Sequence, residues 1–203
     1  EDGYEADITN PVQGSTEVWG DVDASTGLPP GCASVSCDRI GASDLIILDN
    51  NIPLPRNSAN QFYDARDYVA STGTVVLSRH GYRLQEGELL GGAGEVFPIG
   101  AWGTSFESPV GEDIIAHQMF QYTAASIISS ADGTVVNIDR DGNGSVDIMQ
   151  TLARGASMVV QDITTTGNGI LSGATITASN PIQVYLLTGD RGTTYAGRWY
   201  SLV

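Results

Sequence analysis

Asp139, Asp141, Asn143, Ser145 and Asp147 place oxygen-bearing side chains at alternate positions of one short stretch, Asp139-Arg140-Asp141-Gly142-Asn143-Gly144-Ser145-Val146-Asp147. That is ligand spacing for a hard cation such as Ca²⁺, which takes six to eight oxygens at roughly 2.3–2.6 Å. Counted from Asp139, Gly144 is sixth, where an EF-hand loop turns sharply, and apolar Val146 is eighth. The twelfth position, where an EF-hand carries a bidentate Glu, is Gln150. The expected ligands are the side-chain oxygens of Asp139, Asp141, Asn143 and Asp147, with Ser145 through its backbone carbonyl. Without a cation such a cluster repels itself, so binding should be coupled to ordering of the loop. The competing reading is an Asp/Asn/Gly turn that binds nothing.

Other reactive side chains form no comparable constellation. Cys32 and Cys37 are the chain's two cysteines. Four intervening residues allow a loop-stapling disulfide, and no His or further Cys lies near in sequence to make a zinc site. His80 follows Arg79 at a strand end, and His117 follows Glu112-Asp113; both read as structural or surface groups. No Gly-x-Ser-x-Gly elbow or His-Glu-x-x-His helix is present. Asp64/Asp67 and Glu112/Asp113 are the carboxylate pairs a glycosidase would need, but an acidic chain supplies such pairs by chance. Asp21 and Asp23 are spaced like cation ligands and read as a solvated turn. Trp19, Trp102, Tyr195, Trp199 and Tyr200 read as core or cross-strand aromatics, with a sugar-binding shelf as the alternative. Arg191 and Arg198 read as partners of carboxylates. The expectation is no enzyme.

Net charge is −15, and all nine basic residues are Arg. This charge repels nucleic acid and anionic membranes, attracts divalent cations and tolerates salt. Without Lys, a Lys–Asn isopeptide cross-link is impossible. No apolar run reaches the roughly 18–20 residues of a membrane span. A disulfide fits an exported protein.

The elements that must hold the loop are strands. Thr134–Ile138 runs into it and Val146–Leu152 out of it, so it belongs at the tip of a β-hairpin. Phe120–Ile128, Ala156–Val160, Ala174–Ala178 and Ile182–Leu187 are further strands, the last two split by Asn180-Pro181. Upstream, residues 4–8, Thr16–Trp19, a buried run at Asp44–Asp49, Tyr68–Ala70 and Thr74–Arg79 read as strands; residues 81–101 read as Gly-rich and irregular. Helical periodicity is missing. The fold class is all-β and antiparallel: two related sandwich-like units, residues 1–100 and 101–203, with a partial propeller as the alternative. A weak repeat supports this, since residues 63–81 lie over residues 171–189 at a constant offset.

Glu1-Asp-Gly-Tyr-Glu-Ala-Asp7, Glu17-Val-Trp-Gly-Asp21, Tyr63-Asp-Ala-Arg-Asp67, Trp102-Gly-Thr104, Pro109-Val-Gly111, Gln183–Asp190 and Arg198-Trp-Tyr200 follow one another in a familiar order. As a set they resemble a repeated β-module of large bacterial exported and cell-surface proteins. They are more distantly similar to the N-terminal module of the mucin-associated IgG-Fc-binding protein. The resemblance implies an extracellular, structural or adhesive role with no catalytic residues. It also implies a module that starts one strand before Glu1 and continues past Val203, as a segment of a longer polypeptide. Fc binding is not part of what it implies.

Together these readings give an exported, Ca²⁺-stabilised β-domain of a cell-surface or filamentous assembly. Its partners would be other copies of itself, joined by β-strand addition, or flanking domains of a longer chain. The alternative is a monomeric module that binds a surface glycan or protein. Nucleic acid and membrane insertion are not expected.

Overall fold

The structure is a computed structural model that describes residues 17–47, 68–82, 91–114, 118–161, 169–189 and 198–202. The strand expected at residues 4–8, together with Asp64, Asp67, His117, Arg191 and Tyr195, lies outside the described residues. The chain divides into two compact units, Glu1–Ala70 and Ser71–Val203. Residues 71–100, grouped from sequence with the first unit, cluster with the second.

In the first unit, the described residues contain no strand, and their one regular piece is a 3-10 turn at Val35–Cys37. The buried strand expected at Asp44–Asp49 is not formed over residues 44–47. There Leu45 is 81% and Ile47 65% exposed. A short aliphatic run is compatible with burial but does not supply a partner, and the described residues place no ladder beside it. Residues 17–19 and Tyr68–Ala70 likewise form no strand.

The second unit is antiparallel β-structure throughout. Its strands are β1 (Ser78–Tyr82), β2 (Gly91–Glu95), β3 (Gly103–Glu107), β4 (Tyr122–Ser129), β5 (Thr134–Asp139), β6 (Ile148–Leu152), β7 (Ser157–Val160), β8 (Thr175–Gly189) and β9 (Arg198–Leu202). β1 and β2 pair with each other, and the other seven form one nearly closed, barrel-like sheet. The expected fold class, all-β and antiparallel, is the one observed.

β8 organises the sheet. Its first half pairs with β5 (Ile176↔Ile138) and β3 (Ile176↔Phe106); its second half pairs with β4 (Val184↔Ile127) and β9 (Val184↔Leu202). β4 and β5 therefore lie end to end along β8. β7 and β6 lie end to end outside them, pairing with β4 and β5 respectively. Every row changes partner at one corner. Ser129 N–H donates to the Ala156 carbonyl (3.1 Å), Gly155 N–H to the Ser129 carbonyl (2.8 Å) and Ser130 N–H to the Pro181 carbonyl (3.2 Å). The buried Ser129 and Thr134 hydroxyls close the same corner (2.7 Å).

The expected break at Asn180-Pro181 is therefore not a strand end. β8 runs through it at the gap between β4 and β5: β4 ends at Ser129↔Ile182, the β5 ladder ends at Val136↔Ala178, and the Pro181 carbonyl accepts from Ser130 N–H in the corner. At such a gap a proline removes no ladder hydrogen bond.

One core cluster takes side chains from both halves. Val136, Ile138, Ile176 and Phe106 come from one, and Ala125, Ile127, Val184 and Leu186 from the other. β5 alternates as a strand buried on one face, whereas β8 is buried on both faces from Ile182 to Leu186. Fully burying each Ile, Val or Leu contributes about 1.5–3 kcal/mol.

The proposed repeat does not carry over into structure. Val184 in β8 is fully buried, whereas its counterpart Val76 is 87% exposed and precedes β1. The same local pattern meets partner strands on both sides at residues 182–187, and none among the described residues at 74–76. β2, within the stretch read as irregular, forms from a Gly-rich segment because β1 gives it a complete ladder, Ser78↔Glu95 to Tyr82↔Gly91.

Candidate metal centre

β5 and β6 form the hairpin expected around residues 139–147, in register from Thr134↔Leu152 to Ile138↔Ile148. Asp139 is the last residue of β5 and is nearly buried, at 6% exposure. Asp141 and Asp147 are exposed. One carboxylate oxygen from each of Asp139, Asp141 and Asp147 lies within 4.8 Å of the others, so the three can hold a metal ion.

The backbone of the tip is wound around these carboxylates. Asp139 Oδ1 accepts from Asn143 N–H (3.2 Å) and Oδ2 from Gly144 N–H (2.7 Å). Asp141 Oδ1 also accepts from Asn143 N–H (3.1 Å). Asp147 Oδ2 accepts from Arg140 N–H (2.8 Å) and lies 3.7 Å from Arg140 Nε, while Asp147 N–H donates to the Ile138 carbonyl (2.8 Å). Burial pushes the Asp139 carboxyl up, but hydrogen bonds from the Gly144, Asn143 and Gly142 N–H groups, with the neighbouring Asp141 side chain, outweigh it and hold the group below the ordinary aspartate range. Asp139 is thus held as an anion.

Of the five expected ligands, three converge. Asn143 turns its amide onto the loop itself, with Nδ2 donating to Asp141 Oδ2 (2.9 Å) and Oδ1 accepting from Ser145 N–H (2.8 Å). Its oxygen keeps a second lone pair for a cation. Ser145 takes part through its N–H.

Two contacts went unread in the sequence. Gly142 has φ +68°, and a Cβ placed on it would come within 2.7 Å of the Gly173 carbonyl oxygen. Arg140 C=O accepts from Leu171 N–H (2.9 Å). The tip therefore packs on the turn that leads into β8. That turn is itself held by Asp113, which accepts from Ser172 N–H (2.8 Å) and from its hydroxyl, and by paired backbone bonds between Ser108 and residues 173–174. The only local signal for this contact is the glycine at residue 142, which by itself shows a turn and not the surface it touches.

The remaining candidates have other partners. Glu112 Oε1 accepts from Thr123 N–H (3.1 Å), so both members of the Glu112/Asp113 pair cap backbone groups. His80 Nε2 lies 3.1 Å from the Ser78 hydroxyl, both exposed. Trp102 Nε1 donates to the Phe97 carbonyl (2.9 Å), Trp19 Nε1 to Glu17 Oε2 (3.1 Å), and Tyr200 is exposed on β9.

In the first unit Cys32 and Cys37 are joined in a disulfide, with their Cα atoms 5.6 Å apart. Asp38, just after it, is fully buried and accepts from Gly20 N–H (2.5 Å) and Val22 N–H (2.8 Å). The Gly20 bond outweighs burial and, with Val22, holds the Asp38 carboxyl below the ordinary range. Asp21 and Asp23 face Thr26, Ser25 and the backbone. Among the described residues, the metal-compatible grouping of acidic, His or Cys side chains is Asp139, Asp141 and Asp147. Comparison with known protein families, curated proteins and solved structures finds no match.

Proposed function

We propose that this chain is an exported, Ca²⁺-stabilised, non-enzymatic β-domain: a structural or adhesive building block of a bacterial surface or extracellular assembly. The observation that carries the cation is the convergence of Asp139, Asp141 and Asp147 within 4.8 Å at a hairpin tip. The donors are all oxygen, which favours Ca²⁺ or Mg²⁺ over zinc or copper. The loop is irregular and exposed on one side, and it can supply carbonyls and admit water. That suits the variable coordination of Ca²⁺ better than the strict octahedron of Mg²⁺. With Gln150 in place of the closing Glu, and strands rather than helices on both sides, the site acts as a clamp on the hairpin and not as a sensor.

The disulfide supports export to an oxidising compartment. The net charge of −15 supports a salty, cation-rich medium. The ordered set of motifs resembling bacterial surface modules supports the structural or adhesive role.

Calorimetric titration of chelator-treated protein with Ca²⁺ and with Mg²⁺ tests the clamp, together with thermal melts. Ca²⁺ should bind more tightly than Mg²⁺ and raise the melting temperature. EDTA should reverse the rise, and Asp141→Ala should abolish it. No binding heat and no shift in the wild type would sink the reading.

A further inference from the structure

We infer that the β6–β7 side of the sheet is a self-association edge, at which β7 pairs antiparallel with β7 of a second copy of this chain. The inference draws its biological sense from the building-block reading above but does not depend on the cation.

The sheet order ends at β6 and β7, and among the described residues no strand covers their outer side. The ladder phase shows what β7 offers there. Ser129 N–H donates to the Ala156 carbonyl, and the register continues through Ile128↔Ser157, Ile127↔Met158 and Ser126↔Val159. Hydrogen-bonded pairs alternate along an antiparallel ladder. Met158 and Val160 therefore bond inward to β4, and the N–H and C=O of Val159 point out along the open edge. Beside this edge lies an open groove of about 520 Å³, lined by Arg140, Ile148 and Gln150 on the β6 side and by Met158, Val160 and Gln161 on the β7 side.

Soluble proteins guard such edges with charged residues, proline or very short strands. Here β7, Ser-Met-Val-Val, is itself very short, but neither it nor β6, Ile-Met-Gln-Thr-Leu, carries a charge or a proline. The chain has 33 charged residues among 203 (24 acidic and 9 basic), so nine residues of average composition would carry about one or two. The row on the other side of β8 does carry charge, with Glu107 in β3 and Arg198 in β9.

The charge pattern also selects the occupant. A basic partner would be met by acidic side chains, and β6 and β7 offer none. Two copies of a chain of charge −15 repel at most faces. Pairing them through their charge-free edges keeps like charges out of the seam. The same edge on both copies gives a two-fold contact that closes as a dimer. A four-residue strand makes a small seam, in the class of weak or transient interfaces.

Sedimentation velocity over tens to hundreds of micromolar protein, with Ca²⁺ and with EDTA, tests this. The wild type should move from monomer to dimer as concentration rises. Val159→Lys and Val159→Glu, each checked for folding by thermal melt, should stay monomeric. Thr104→Lys on β3 should dimerise like the wild type. As a measurement independent of any variant, exchange of the Val159 amide hydrogen should slow as wild-type concentration rises. A wild type that is monomeric throughout, open-ended oligomers, dimers that survive both Val159 variants, or concentration-independent exchange at Val159 would each overturn the proposal. Because Ca²⁺ binding is read separately, loss of the dimer with an intact Ca²⁺ response removes this inference and leaves the clamp standing.

Discussion

In the turn at residues 20–26, Asp21 and Asp23 stand two apart, as Asp139 and Asp141 do at the hairpin tip. In the first turn each carboxylate folds back on its own neighbourhood: Asp21 on Asp23 N–H (2.9 Å), Asp23 on Ser25 N–H (2.9 Å). The buried third carboxylate, Asp38, arrives from beyond the disulfide and accepts from Gly20 and Val22 N–H. At the hairpin tip the geometry is set from outside the turn. β5 fixes Asp139 at its end, and the β5–β6 ladder brings Asp147 back opposite it. Three oxygens then meet within 4.8 Å. Alternating aspartates make turns; a ladder on both sides turns them into a site.

The largest expected difference between the two turns is their response to cation. At a free Ca²⁺ concentration about 100 times the dissociation constant, binding should stabilise the fold by roughly 2.7 kcal/mol. Asp141→Ala should remove that gain in a thermal melt, whereas Asp21→Ala should leave it intact. Equal loss in both variants would erase the distinction drawn here. The disulfide gives the next effect, confined to the first turn's unit. Replacing Cys32 and Cys37 by Ser should cost about 2 kcal/mol on the chain-entropy account for so short a loop. Hydrogen exchange should show loosening around residues 20–38 with the β5–β6 amides unchanged.

Gly142→Ala probes the surface beneath the hairpin tip. The left-handed conformation alone should cost about 1–2 kcal/mol, and the approach to the Gly173 carbonyl adds to it. The variant should weaken Ca²⁺ binding and loosen residues 171–173 together. Loosening at the tip alone would show that the two are not coupled.

The smallest effect is shared by both turns. Asp139, Asp38, Asp113 and Asp23 all have carboxyls held below the ordinary range: in Asp139 and Asp113 hydrogen bonds overcome burial, in Asp38 the Gly20 N–H bond leads, and in Asp23 the Ser25 hydroxyl leads. A lowered folded-state value means that the stabilisation is fully present above the ordinary aspartate range and is lost as pH falls through the lowered values. Carboxyl NMR titration should show all four protonating below the ordinary aspartate range. Ca²⁺ should delay Asp139 further and leave Asp38 and Asp23 unmoved.

The parts legible in the sequence are those whose cause is local. The hairpin at residues 134–152 follows from two apolar, β-branched runs around a Gly- and Asp-rich turn, and the disulfide follows from a spacing that only a tight loop can span. The all-β class follows from short apolar, β-branched runs between turn residues, with period-2 burial visible in Thr134, Val136 and Ile138. What could not be read required knowledge of the neighbour. Val75–Leu77 and Ile182–Leu187 look alike as strings, yet the first run is exposed and the second lies in the core, because β4 and β9 flank only the second. Asn180-Pro181 breaks an isolated strand, but β8 passes through it because the proline falls in the gap between β4 and β5, where no ladder bond is due. At the site, residue types and spacing determined an oxygen-rich loop by themselves. The tertiary structure decided which of its oxygens converge, since only the β5–β6 ladder and the turn at residues 171–173 hold the two ends of the loop at a fixed separation.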